Sequence, residues 1–291
     1  MNDLYKTSHL QYEYVPFPEL GHGSQFHTYD THDGRVLKLP LTKEETYVVV
    51  SKRRHNMNPL SSKEIAPLDT RIHTIINGKA RIPAMLNHSF YNAKDFLSIL
   101  GNPTIIDAEK VLPEDRPGKE WGAGRVIYTQ DKLTMVGDML KGFGEQPTLK
   151  AGDISKIKQI IDLYIEQTYK LWSYGYADYV FKLGDTGFDT AGNFVLADLG
   201  EYSSDPTFMK KALADKRWLH SIIPDKIDFP QIPAQLHDYF AATLNNAFTI
   251  EQFMSRWRTQ HHCSSCKATD DNVISAFIAA KVAEIDFVDR W

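Results

Sequence analysis

Apolar residues recur at helical spacing most clearly between residues 153 and 173. There Ile154, Ile157, Ile160, Ile161, Tyr164, Ile165, Thr168, Tyr169 and Trp172 fall on one side of a 3.6-residue repeat. The pattern predicts a long amphipathic helix, capped at its start by Asp153 or Ser155 and stopped by Gly175. Upstream the period shortens. Residues 19–39 read as strand, glycine turn, strand, hairpin over Asp30 to Gly34, and a strand carrying Val36-Leu37-Lys38-Leu39. Residues 1–18 would form a leading arm or an extra strand. Thr42 to Met57 predicts a helix, with Thr42 as cap, Glu44 and Glu45 in its first turn and Lys52, Arg53 and Arg54 in its last, a charge order that suits the macrodipole.

The middle of the chain is mixed. Arg81 to Leu86 and Thr104 to Val111 read as short strands, and Pro113 to Gly122 as an exposed loop. Arg125 to Tyr128 and Leu133 to Leu140 read as paired strands turning at Gln130-Asp131, followed by the flexible Lys141-Gly142-Phe143-Gly144. Beyond Glu201 the pattern is helical: Pro206 to Ile222, Ala234 to Phe248, Phe253 to Arg258 and Val273 to Val288, with the proline-spaced Pro224 to Pro233 as a break.

Between the long helix and this helical part lies Tyr174 to Tyr202, the stretch richest in candidate chemistry. Asp178 sits in a loop, turn formers follow from Asp189 to Asn193, and a short apolar strand from Phe194 to Ala197 delivers Asp198 into a Leu-Gly turn. One acid before a hairpin and one at the exit of its second strand is a way to face two carboxylates into one cavity.

Composition narrows the class. A chain of 291 residues that is 42% hydrophobic and 24% charged is ordinary globular material, long enough for one large domain or two lobes. The net charge of −4 argues against a nucleic-acid partner held by phosphate neutralisation. No apolar run reaches bilayer length, so no membrane partner is expected. The N-terminal residues lack a signal-peptide core, and two late cysteines imply no disulfide framework. The expectation is a cytoplasmic globular protein.

Taken together, Gly21-His22-Gly23-Ser24, the strand lysine Lys38, the long helix, Asp178, the hairpin and Asp198-Leu199-Gly200 form an ordered series. That series resembles the protein-kinase-like phosphotransferases, in a divergent bacterial or phage form. The resemblance implies an α+β, two-lobed fold: a β-rich N-lobe over 1–141 and a larger helical C-lobe over 142–291. It implies ATP and magnesium as cofactors. Gly21, Gly23 and Ser24 would cover the phosphates and Lys38 would pair with them. Asp178 would orient the acceptor hydroxyl and take its proton. Asp198 would hold magnesium, with Asp185, thirteen residues earlier, as a second metal ligand and Lys182 close to metal or phosphate.

The sequence also departs from that pattern. Phe26 stands at the third glycine position, and Tyr176-Ala177-Asp178 replaces the His-Arg-Asp signature. Lys182 or Leu183 replaces the metal-binding asparagine. The glutamate that would pair with Lys38 stays open among Glu44, Glu45 and the more distant Glu64. The implied activity is ATP/Mg-dependent phosphoryl transfer to an unknown small-molecule or protein acceptor, with AMP transfer a variant. The alternative is a pseudokinase that binds nucleotide or a protein partner without transfer. Separately, His261-His262-Cys263-Ser264-Ser265-Cys266 reads either as a polar loop with two free thiols or as a partial or intermolecular metal site, without a second Cys-x-x-Cys to complete it.

Overall fold

In the computed structural model the described residues are 17–22, 25–41, 45–46, 49, 82, 85–86, 93–106, 126–178, 180–223 and 231–257. The expected arm over 1–18, except for its last two residues, the loop over 113–122, the helix over 273–288 and the Cys263–Cys266 segment lie outside them. Most of the expected helix over 42–57 does too, although Glu45, Thr46 and Val49 are helical.

The N-terminal region is a small antiparallel sheet. Its strands are β1 (Glu19–His22), β2 (Phe26–Asp30), β3 (Arg35–Pro40), β4 (Thr104–Ile106) and β5 (Ile127–Asp131), in the order β1-β2-β3-β5-β4. The period of two sorts their side chains. Tyr29, Leu37, Leu39 and Ile127 pack together with Phe17 and Ile106 on one face. Phe26 and Tyr128 leave on the other, meeting edge to face at 5.2 Å, and join the main core. Register places Lys38 opposite Thr28 on one side and Tyr128 on the other, so it shares the core-side face.

Two expected strands are helical instead. Ile82, Met85 and Leu86 lie in helical backbone, with Ile82 and Met85 buried three residues apart. The run from 133 to 140 gives only the two-residue β6 (Thr134–Met135), after which Val136–Gly144 forms a helix, α2, that buries Val136 and Leu140. In both cases i, i+3 or i, i+4 burial decides, a signal that a short apolar run hides. Gln130 and Asp131 lie within β5 rather than in a turn, and β6 pairs with β8 (Thr186–Phe188), not with β5. The helix before β4, α1, spans Ala93–Ile99.

The expected long helix is α3, Ala151–Ser173, and it buries Ile157, Ile160, Ile161, Tyr164, Thr168, Leu171 and Trp172. Its cap differs from expectation: Lys150 takes the N-cap position with no side-chain bond, and Asp153 lies in the first turn, where a negative charge suits the helix start. Its end is as expected. Gly175 adopts φ +73°, Gly175 N–H donates to Trp172 O at 2.9 Å and Tyr176 N–H to Leu171 O at 3.2 Å, the paired bonds of a Schellman ending. That turn feeds the chain into β7 (Ala177–Asp178), which pairs with β10 (Tyr202–Ser203).

Between those partners run β8 and β9 (Phe194–Leu196), joined by a turn in which Asp189 Oδ1 accepts the N–H groups of Ala191 and Asn193. The expected helix over 206–222 is split: α4 (Pro206–Ala214) ends before Lys216, at φ +47°, and a 3₁₀ segment runs from Arg217 to Ile222. A 3₁₀ turn at Ala234–Leu236 leads into α5 (His237–Ala247), and α6 (Ile250–Arg256) follows. Trp172, Phe181, Trp218, Phe248 and Phe253 interlock at the centre of this helical part, with ring centroids 4.8–5.7 Å apart. The architecture is mixed α+β, a small antiparallel sheet followed by a helical part. No helix among the described residues is long and apolar enough to cross a membrane.

Candidate functional site

Where the core-side face of the sheet meets the β8–β9 hairpin there is a cleft of about 190 Å³, lined by Gln25, Thr28, Lys38, Tyr128, Asp185 and Asp198 among others. Each polar group arrives by a local device. Lys38 is carried by β3. Asp198 follows the buried strand β9, and the residue before it is tied to the sheet: Gln130 Nε2, itself buried, donates to Leu100 O at 2.7 Å and to Ala197 O at 3.3 Å. Asp185 ends the 3₁₀ turn Leu183–Asp185, whose position is fixed by Ala197 N–H donating to Asp185 O at 3.0 Å.

Asp178 and Lys182 stand beside this group. Asp178 Oδ1 accepts the N–H of Val180 at 2.8 Å and of Phe181 at 3.1 Å, which leaves its other oxygen without a bond from these groups. The turn so closed sends Phe181 through φ +58°, a conformation that strains a non-glycine residue. Burial of its ring among Trp218 and Phe248 holds it there. Lys182 Nζ reaches Asp185 Oδ2 at 2.8 Å.

A third carboxylate joins Asp185 and Asp198. Glu201 ends the 3₁₀ turn Leu199–Glu201, and one oxygen from each of the three acids lies within 4.8 Å of the others. Sequence reasoning missed Glu201. Its signal was the three-residue spacing from Asp198, which a 3₁₀ turn eclipses onto one side. Gln25 was missed as well: it is buried at 3% exposure, and its Oε1 has no hydrogen-bond partner among the described residues. That oxygen occupies the space beside the Gly200 α-carbon, where a Cβ would come within 1.5 Å of it, so any side chain at 200 would have to push the Gln25 carboxamide aside.

The electrostatics follow from four acids sharing two lysines. Burial, then Asp185, pushes Asp198 up to about 7, against the pull of Lys182 and Lys38. Asp178 rises to about 6, chiefly through burial, while its two backbone donors oppose the shift. Glu201 is pushed well above the usual carboxylate range by burial and by Asp198. Burial lowers Lys38 although Asp198 and Asp185 favour its charge. For Lys182 burial works downwards, but Asp185 and Glu201 outweigh it and the ammonium is held above its ordinary value.

The structure thus brings Lys38, Asp185 and Asp198 together in one cleft, with Asp178 and Lys182 adjoining. Gly21 is exposed in β1 at φ +149°, and Gly23 and Ser24 lie outside the described residues. Of the glutamates considered for Lys38, Glu45 has its Oε1 3.5 Å from His27 Nε2. His27 leaves the sheet on the face away from Lys38, with Glu19 Oε1 2.8 Å from its Nδ1. Burial pulls His27 down, but the two glutamates prevail and raise it. The carboxylates that act on Lys38 are instead Asp198 and Asp185. No protein-family model matches this chain, and no curated protein matches its sequence.

Proposed function

We propose that the protein is an ATP/Mg-dependent phosphotransferase of kinase-like, two-lobed architecture, acting on a small-molecule or protein acceptor. The observation that carries the reading is the convergence of Lys38, Asp185 and Asp198 on one cleft, from a strand, a turn and a strand end far apart in sequence. Phosphoryl transfer asks chiefly for positioning and charge neutralisation. Magnesium, when bound, would supply charge against the phosphate oxygens, and Asp198 and Asp185 are the hard oxygen donors such an ion takes. Lys38, on the sheet side, pairs with phosphate. Lys182, always protonated, steadies Asp185 and adds positive charge at the same wall. Asp178, with one oxygen anchored by Val180 and Phe181, presents the other to an acceptor hydroxyl, and a value near 6 suits proton uptake close to neutrality.

A second reading, a pseudokinase, is favoured by one observation: at about 190 Å³ the cleft is smaller than the roughly 300–1,000 Å³ of ligand pockets in general. Calorimetry separates the two. Wild type should bind ATP in a magnesium-dependent way, Asp198→Ala should lose that dependence, and labelled phosphate should then pass to an acceptor. Binding that ignores both magnesium and the substitution supports the pseudokinase, and absence of binding removes the nucleotide reading.

A further inference from the structure

We infer that the cleft holds a hard divalent cation without nucleotide, at a site formed by Asp185, Asp198 and Glu201 and faced by the carboxamide oxygen of Gln25. The inference rests on the phosphotransferase reading for Asp185 and Asp198 as metal ligands, and adds Glu201 and Gln25, for which transfer itself has no use.

Three observations carry it. First, the carboxylate spacing fits one ion. Two oxygens on a six-coordinate magnesium with bonds of about 2.1 Å lie roughly 3.0 to 4.2 Å apart, and on calcium with bonds of about 2.4 Å up to about 4.8 Å. Oxygens of Asp185, Asp198 and Glu201 fall within 4.8 Å of one another, so one ion needs little rearrangement. Second, Gln25 offers an oxygen that the protein leaves unused. It lines the same cleft, is almost fully buried, and Oε1 has no donor among the described residues. A buried acceptor without a donor is costly, and a cation in its cleft would relieve it. The Cβ-free Gly200 is what lets that oxygen approach the turn carrying Asp198 and Glu201.

Third, the charges do not balance within the protein. Lys182 is committed to Asp185 at 2.8 Å, whereas no carboxylate among the described residues lies within ion-pair distance of Lys38. Asp198 and Glu201 therefore have no direct ion pair with a lysine among the described residues. With three carboxylates the ion needs no phosphate oxygens to neutralise it, whereas two carboxylates, one already on a lysine, would leave it dependent on nucleotide. All the donors are hard oxygens, which selects magnesium, manganese or calcium over zinc.

The test uses the full chain, nucleotide-free, with Mn²⁺ followed by the electron paramagnetic resonance of the free ion. Wild type should take up one Mn²⁺ per chain with a Kd below about 1 mM. Glu201→Gln should weaken that binding at least about tenfold and Gln25→Ala about threefold. Absence of Mn²⁺ uptake by nucleotide-free wild type overturns the inference, as does uptake by Glu201→Gln equal to wild type. Should Glu201→Gln fail to fold, the wild-type stoichiometry decides alone. Mn-ATP binding without nucleotide-free uptake leaves the phosphotransferase reading standing and this inference fallen. Nucleotide-free uptake that Glu201→Gln weakens, with no ATP binding, does the reverse.

Discussion

Two groups of acids at opposite ends of the sheet behave in opposite ways. At the β2–β3 hairpin, Lys132 Nζ sits 2.6 Å from Asp30 Oδ2 and Arg35 Nη1 sits 2.8 Å from Asp131 Oδ1, one cation for each carboxylate. Asp30 is held below the usual carboxylate range by Lys132 and the His32 N–H, and Asp33 by the Thr31 hydroxyl. In the cleft, Asp178, Asp185, Asp198 and Glu201 share Lys38 and Lys182, and Asp178, Asp198 and Glu201 are pushed up instead. The residue types are the same; the ratio of acid to base differs. Hairpin acids bind the sheet together. The cleft gathers four acids against two lysines, a surplus that the proposed cation and nucleotide would offset.

The largest effect should come from Asp178. Asp178→Asn keeps the acceptor of the Val180 and Phe181 N–H groups but cannot take a proton. Phosphate transfer should fall roughly a hundred- to ten-thousand-fold while ATP affinity changes little. If transfer persists at the wild-type rate in a labelled-phosphate assay, Asp178 belongs with the structural acids and the contrast is drawn in the wrong place.

Asp198 sharpens the contrast through stability. Its folded-state value, about 7, lies above the usual 3.8, so its contribution is fully present below pH 3.8 and is lost as pH rises through 7. Without added metal, wild type should lose stability between pH 3.8 and about 7. Asp198→Asn should lose less, and be the more stable of the two at pH 8 by on the order of 2 kcal/mol. Adding magnesium at pH 8 should narrow that gap by raising wild type. An Asp198→Asn protein that melts below wild type at pH 8, measured metal-free, would mean that the charge is better compensated than the four acids and two lysines suggest.

Much of this was legible in the chain, unevenly. The repeat in α3 and the glycine that ends it were read correctly because a long amphipathic period and a left-handed stop are both local signals. So were the hairpin between β2 and β3 and the strand that delivers Asp198. What failed was short: Ile82 to Leu86 and Leu133 to Leu140 contain too few turns to show whether alternation or helical spacing governs them. Lys38, Asp185 and Asp198 could be named because chain order suggested them. Glu201 and Gln25 could not, since one is brought in by an eclipsed 3₁₀ turn and the other by packing against a distant glycine. Such contacts across the chain leave no period to read. The Glu45–His27 contact is of the same kind: strand parity sets which face His27 uses, but only the fold sets the glutamate beside it.

The smallest expected effect lies at the hairpin and has the opposite slope. Asp30 is depressed in the folded state, so its contribution is present above the usual 3.8 and is lost as pH falls through the lower, folded value. Asp30→Asn should therefore lower Tm at pH 7, by about 1–2 °C since the pair with Lys132 is partly exposed and screened, and the deficit should close in acid. Raising the salt to about 1 M, where the Debye length falls to roughly 3 Å, should shrink it further. Set against Asp198→Asn, the two variants should diverge as pH rises, one losing relative to wild type and the other gaining. Parallel pH profiles would show that position at the hairpin or in the cleft does not decide how these acids act, and that both groups are ordinary surface charge.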